Sequence, residues 1–259
     1  MIAQVNTPRQ RQRFLNACRG KLCCGATLPL ALQLLGKAQP GRFFAGPTLA
    51  LDIGGRTAWA AGHANPEELA SFLNFCGCRA VILDEAECPP PVGWQKTCDH
   101  TIFGLAAGEQ LPLPAQTEAQ KALWDSLTFV EDPASGPVAE NLFPDRPARR
   151  DDFYSELCTK RSRGKALVWT LERGGNIVCT VGAYALCNGQ AYMACGQTAE
   201  ALRGQRVGGR LIVQMANALS AQGDQPVFLC SPERVHFYTQ LGFHPLGTLA
   251  RYESPIGKD

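Results

Sequence analysis

The chain has 259 residues, 45% of them hydrophobic and 19% charged. That is enough apolar material for one large domain or two modest ones at ~150 residues each, and it excludes a largely disordered polypeptide. Lys plus Arg number 25 against 23 Asp plus Glu, so a formal charge of +2 provides no global field for gripping nucleic acid.

No apolar run approaches the ~20 residues of a membrane span. The first twenty residues carry Arg9, Arg11, Arg13 and Arg19 with no apolar signal core. The expectation is a soluble, cytoplasmic protein with no membrane partner. Twelve cysteines stand out in the composition. Zinc sites draw on paired Cys-x-x-Cys arms, and the sequence has none; Cys76-Gly-Cys78 is one residue too tight. Cys179, Cys187, Cys195 and Cys230 lie inside apolar, strand-like runs, where a free thiol behaves as a small hydrophobe. Reduced core thiols and no bound metal are the expectation.

In chain order, residues 8–19 and 28–36 read as short helices, the second closed by Gly36. Two strand-like runs follow at 48–55 and 56–62, separated by a Gly-Gly turn signal. Asn65 is placed to cap a helix with Pro66 in its first turn, and Glu67 and Glu68 complement its dipole. Leu69, Phe72, Leu73 and Cys76 share one face of that helix. Residues 79–84 form a buried strand and 101–105 one more.

The polar, proline-bearing stretch 106–120 separates two differently organised halves. It sets a domain boundary between an N-terminal α/β domain at 1–120 and a second domain at 125–259. In the second, a strand at 127–130 leads through a Pro-rich connection at 131–148 to a polar helix at 149–163. Strands at 166–173, 177–186 and 190–198 are joined by Gly174-Gly175-Asn176 and Asn188-Gly189 turns, hence antiparallel. A helix at about 206–222, a strand at 226–230 and a helix at 232–240 complete the half. Strand–helix–strand over 190–230 requires a parallel neighbour, so the sheet is mixed and mostly antiparallel, flanked by helices.

The chemistry concentrates in Thr198–Leu211, where a strand end runs directly into an amphipathic helix. Gly204, Gly208 and Gly209 let backbone N–H groups approach a ligand, and the helix N-terminus favours an anion. Arg203, Arg206 and Arg210 add positive charge. The pattern describes a phosphate or pyrophosphate site, although neither a Walker A nor a dinucleotide Gly-x-Gly-x-x-Gly motif occurs. A glycine-rich turn before a surface helix is the plainer alternative.

Downstream lies Ser231-Pro-Glu-Arg-Val-His-Phe-Tyr-Thr-Gln-Leu-Gly-Phe243. The pairing of the two segments resembles the GNAT N-acetyltransferase superfamily, in which an Arg/Gln-x-x-Gly-x-Gly/Ala loop precedes a helix ending in Phe-Tyr-x-x-Leu-Gly-Phe. The first pattern lies at Arg203–Gly208, with Arg206 in place of the first glycine. The second is complete at Phe237–Phe243. The resemblance covers roughly 125–250.

The resemblance implies a GNAT fold, acetyl-CoA as co-substrate and direct transfer of an acetyl group to an amine. It places cofactor binding at Gly196, Gln197, Thr198, Arg203, Gly204, Gln205, Arg206, Val207, Gly208, Gly209 and Ser231. Backbone N–H groups near Gln197 and Thr198 would polarise the thioester carbonyl. Tyr238 matches the tyrosine that protonates the leaving thiolate. Glu200, just beyond the strand end, is the candidate base, with a solvated loop carboxylate as its alternative; His236 reads as a surface residue.

Tyr184, Tyr192, Trp169 and Phe153 fit either an acceptor cleft or a core. The basic run Lys160, Arg161, Arg163 and Lys165 is solvated charge at a helix C-terminus, not a nucleic-acid surface. The N-terminal half has no counterpart of the Arg203–Gly209 loop and is either a degenerate GNAT-like copy or an unrelated α/β domain. The expected function is N-acetylation of a small-molecule primary amine. The rivals are a non-catalytic acyl-CoA-binding or regulatory module and, less favoured by the charge balance, an aminoacyl transferase. The oligomeric state stays open, a homodimer included.

Overall fold

The computed structural model describes residues 1–255. In chain order the elements are β1 (Ala3–Gln4), α1 (Pro8–Cys18), α2 (Cys24–Leu35), β2 (Phe43–Ala45), β3 (Thr48–Gly54), β4 (Thr57–His63), α3 (Pro66–Phe75), β5 (Ala80–Leu83) and β6 (Gln95–Gly104). Then come α4 (Glu118–Asp125), β7 (Thr128–Val130), α5 (Ser135–Leu142), α6 (Pro147–Arg161), β8 (Leu167–Arg173), β9 (Asn176–Cys187) and β10 (Gln190–Thr198). α7 (Val207–Ala221), β11 (Gln225–Cys230), α8 (Val235–Gln240) and β12 (His244–Glu253) follow.

The chain forms two compact units. The first comprises Met1–Phe103, Leu229–His236 and the stretch from Pro245 onward; the second comprises Gly104–Phe228 and Phe237–His244. In the first, β2, β3 and β4 run antiparallel, β4 pairs parallel with β5, and β12 pairs antiparallel with β5, matching Leu83 with Ala250. Its core joins Leu49 and Leu51 of β3, Leu69 and Leu73 of α3, Val81 and Leu83 of β5, and Tyr252 of β12.

In the second unit, β7, β8, β9 and β10 form an antiparallel meander, and β10 pairs parallel with β11. α7 packs on β9 and β10, while α5 and α6 pack on each other and on β9. Cys179 of β9 meets Thr198 beside α7, whereas Tyr184 of β9 stacks on Phe153 of α6. An odd separation along a strand puts these two contacts on opposite faces, so helices flank the sheet.

The two units repeat one plan. Strand, two helices, three strands, a helix and a parallel strand occur as β1-α1-α2-β2-β3-β4-α3-β5 and again as β7-α5-α6-β8-β9-β10-α7-β11. The pairing senses agree in both halves. No repeat is legible in the sequence, because the shared plan needs only matching burial patterns, not matching residues.

Several boundaries differ from the sequence reading. α2 starts at Cys24, not at 28, and takes in Pro29; burial of Cys24, Ala26, Leu28 and Leu30 outweighs the local cost of Gly25 and Pro29. The connection expected at 131–148 contains α5, a short helix that buries only Val138 and Ala139. α4 begins inside the expected linker, set by a Thr117–Gln120 capping box; none of its residues is fully buried, Leu123 and Trp124 being half-buried. β6 starts at Gln95 instead of 101, and the helix expected at 232–240 is a 3-10 turn at Pro232–Arg234 followed by α8. β12 was not expected at all; its first five residues are exposed and show no alternation.

All twelve cysteines are free. Among the described residues no helix is long and apolar enough to cross a membrane, and no group of three or more His, Cys, Asp or Glu is arranged to hold a metal ion.

Candidate acyl-CoA site

β10 sets the position of the site. Its parallel register with β11 covers only Gln190–Tyr192 against Gln225–Val227. Beyond that, its pairing with β9 is shifted twice, between Tyr192 and Met193 and between Ala194 and Gln197. Cys195 takes φ 53° at the second shift, a left-handed conformation that a thiol side chain adopts at a cost. Bulges of this kind re-aim the strand: its end stays paired with β9, Gln197 with Thr180 and Thr198 with Cys179, but lies beyond the last pair with β11, and the arginine-rich loop follows.

The loop is a compact series of backbone turns. Leu202 N–H donates to the Ala199 carbonyl at 2.9 Å, Arg203 N–H to Glu200 at 3.1 Å and Gln205 N–H to Leu202 at 3.3 Å. Buried Leu202 and Val207 anchor its two ends while Arg203, Gly204, Gln205 and Arg206 between them are exposed. Arg203 Nε donates to the Thr198 carbonyl at 3.3 Å, and Arg206 Nη1 to the Ala115 carbonyl at 2.8 Å.

Arg206 is the N-cap of α7 with φ 61° and ψ 6°. This is the left-handed region that glycine enters without strain, which explains physically why the related motif has glycine there. The side chain makes no capping bond. The N–H groups of Val207, Gly208 and Gly209 have no partner one turn back, so they face outward as donors.

Gly208 and Gly209 serve packing first. A Cβ on Gly208 would lie 2.4 Å from Thr198 Oγ1, and one on Gly209 would lie 3.0 Å from Leu241 Cδ2. Without side chains, the first turn of α7 sits directly on the end of β10 and against Leu241. Thr198 Oγ1 also contacts Cys179 Sγ at 3.4 Å, and burial pushes that thiol up to about 11. Gly204 meets nothing within 4 Å and is needed for its φ of 76°.

The electrostatics favour an anion. None of Arg203, Arg206 and Arg210 has an ion-pair partner among the described residues. Arg210 stacks over Trp124 with its Cζ 5.0 Å from the ring centroid, and its buried Nε has no hydrogen-bond partner. Open N–H donors, the positive end of a four-turn helix and three uncompensated guanidinium groups together fit the pyrophosphate of an acyl-CoA.

The equivalent point of the first unit is closed. Asn65 Oδ1 accepts from the N–H groups of Glu67 and Glu68, each at 3.0 Å. Pro66 has no N–H to offer, the Glu67 carboxylate in the first turn repels an anion, and Glu68 is paired with the N-terminal ammonium at 3.1 Å. The β3–β4 ladder beside it runs from Gly54–Thr57 to Thr48–His63 without a shift.

The remaining expected residues are distributed as follows. Gly196 and Gln197 lie exposed at the second shift, Gln197 donating to the Asn141 carbonyl at 3.2 Å. Half-buried Tyr238 rests its ring on Phe228 at 4.5 Å, Phe237 at 5.0 Å and Phe243 at 6.3 Å. Exposed Glu200 begins the turn after β10, and its carboxylate makes no hydrogen bond or ion pair among the described residues. Ser231 falls in the first unit, where its hydroxyl donates to Glu233. Trp169 and Tyr184 are buried. Sequence reasoning missed the Ala115 tether and the Thr198–Gly208 contact, which join residues with no shared motif.

No family model and no curated protein matches the sequence. Solved structures do match. A tandem GNAT protein from the clavulanic acid biosynthesis pathway superposes with TM-score 0.63 at 13% identity, covering 100% of this chain and 99% of that one. A GCN5-related N-acetyltransferase from Sphaerobacter thermophilus gives 0.63 at 13% identity over 97% and 94%. The fold is that of the GNAT acetyltransferases. A third GCN5-related N-acetyltransferase, from Kribbella flavida, agrees at TM-score 0.59 and 16% identity over 88% and 94%. The GNAT fold therefore extends beyond the stretch where the sequence resemblance is legible, and the tandem match agrees with the repeated plan.

Proposed function

We propose that the second unit binds acetyl-CoA at the N-terminus of α7 and transfers the acetyl group to the primary amine of a small molecule, directly within a ternary complex. The observation that carries this reading is the contrast between two equivalent helix starts, one uncapped and ringed by arginines, the other with its N–H groups capped by Asn65. The first unit is then a GNAT-like copy without an acyl-CoA site.

In this reading, N–H groups at the end of β10 near Gln197 and Thr198 hold the thioester carbonyl oxygen as negative charge develops on it. The amine nitrogen attacks the carbonyl carbon, and the C–S bond breaks. Tyr238 gives its hydroxyl proton to the departing sulfur, while Glu200 or water takes the proton released by the amine. The aromatic packing of Tyr238 against Phe228 and Phe243 holds its ring in place for that role.

A non-catalytic acyl-CoA-binding module would share the same loop. Incubating the full chain with acetyl-CoA and a panel of small amines, following free thiol release, separates the two. Amine-dependent release supports the transferase; binding of acetyl-CoA with no release from any amine supports the module.

A further inference from the structure

The face of the second unit opposite α7 carries an aromatic wall that the acetyl-transfer chemistry leaves unused. Arg149 is exposed, with its Cζ 4.8 Å from the Phe143 ring centroid. Phe143 meets Phe153 edge-on at 5.2 Å, and Phe153 meets Tyr184 at 5.4 Å. The wall thus runs from solvent at Arg149, past two half-buried rings, to Tyr184, which is only 7% exposed.

The inner end is polar and unmet. The Tyr184 hydroxyl is buried with no hydrogen-bond partner. Its ring lies over Gly182, where a Cβ would be 2.7 Å from that hydroxyl. Gly182 registers with Ala194, the last residue of β10 before the second shift. The same cluster contains Ala194 and Cys195. An orphaned hydroxyl therefore lies beside the strand break at which the acyl carbonyl is proposed to be held.

The outer end is cationic and also unmet. Lys160 is paired with Glu156 at 2.8 Å, Arg161 with Asp132, and Arg150 with Asp151 at 3.3 Å. Arg149 has no ion-pair partner among the described residues. Its charge, with that of Lys160, acts on Cys195, so the outer end and the strand break share one electrostatic field.

We infer that this wall binds the acceptor, and that the acceptor is a small amine with an apolar middle and an oxyanion at its far end. The amine N–H donates to the Tyr184 hydroxyl oxygen, the apolar middle lies on Phe153 and Phe143, and the oxyanion pairs with Arg149. Unpartnered buried polar atoms are costly, so a hydroxyl left open at one end and a guanidinium at the other define complementary demands on one ligand. The inference rests on the acyl-CoA reading of the second unit and specifies the acceptor for it.

The test compares kcat/KM with acetyl-CoA for matched amines: 4-(aminomethyl)benzoate against its amide, and 4-(aminomethyl)phenyl phosphate against 4-(aminomethyl)phenol. At least one oxyanion member should exceed its neutral partner by tenfold or more, and the pair that responds identifies carboxylate or phosphate. Arg149→Ala should bring that ratio to within twofold of one. Tyr184→Phe, which removes only an orphaned hydroxyl, should melt no lower than wild type. It should lower kcat/KM for both members about tenfold, with the Kd of acetyl-CoA held within twofold. A ratio near one in wild type, an unaltered ratio in Arg149→Ala, or no turnover of any of the four amines by protein that binds acetyl-CoA overturns the inference. Failure of acetyl-CoA itself to raise the melting temperature overturns the underlying reading, a separate readout.

Discussion

Gly208 approaches Thr198 so closely that a Cβ at 208 would lie 2.4 Å from the threonine hydroxyl oxygen. This contact fixes the first turn of α7 on the end of β10, and with it the direction of the open N–H groups. The same Cβ would lie 3.7 Å from Thr198 Cβ, an ordinary contact. Gly208→Ala should therefore cost about 1–3 kcal/mol by overpacking. Thr198→Ala in the same chain should return most of it, because the offending oxygen is gone. Urea denaturation of both single variants and the double gives the coupling. Additive losses would show that the contact does not set the geometry.

Arg206 occupies a left-handed conformation at the N-cap of α7. Arg206→Gly and Arg206→Ala both remove the tether to Ala115, but only glycine relieves the backbone. The glycine variant should be the more stable of the two by about 1 kcal/mol. Equal denaturation midpoints would place the strain elsewhere.

Tyr238→Phe keeps the ring on Phe228, Phe237 and Phe243 and deletes only the proton donor. General-acid contributions are typically ~10²–10⁴-fold, so turnover should fall by that order while the Kd of acetyl-CoA is unchanged. Turnover within about twofold of wild type would reduce the residue to a packing role.

Burial raises the thiols of Cys78, Cys88 and Cys179 from an ordinary 9.0 to about 11, and that of Cys24 to about 12. A raised folded-state value means that the native protein holds protons which the unfolded chain releases. That contribution is complete below the unfolded value and is lost as pH rises through the folded one. The urea midpoint should fall between about pH 9 and 11, and Cys179→Ala should fall less steeply. Identical slopes for the variant and wild type would contradict the burial of that thiol.

Local chemistry was legible in the sequence where one segment carried the whole signal. Asn65-Pro-Glu-Glu announces a helix start, and its cap forms as read. The β8–β9–β10 meander follows its two turn signals, and the parallel β10–β11 pair follows from the intervening helix. What was not legible depends on partners distant in sequence. β12 becomes a strand through β5, and its exposed first half has no pattern of its own. The loop glycines suggested close ligand approach, yet two of them answer first to Thr198 and Leu241. Arg206 looked like a departure from the motif; its φ shows that the backbone kept the glycine conformation while the residue changed.

Under the proposed function each chain holds one acyl-CoA site, at the start of α7 and not of α3. The decisive experiment is calorimetric titration of the full chain with acetyl-CoA, alongside Asn65→Ala and Gly208→Asp. One molecule should bind per chain, with stabilisation of roughly 2.7 kcal/mol at about 100 times the Kd. Asn65→Ala should lose about 1 kcal/mol of stability with its cap and bind as wild type, whereas Gly208→Asp, whose Cβ displaces the first turn of α7 from Thr198 and which adds a negative charge there, should bind at least tenfold more weakly. No heat at millimolar acetyl-CoA, two molecules per chain, or wild-type affinity in Gly208→Asp would refute that placement.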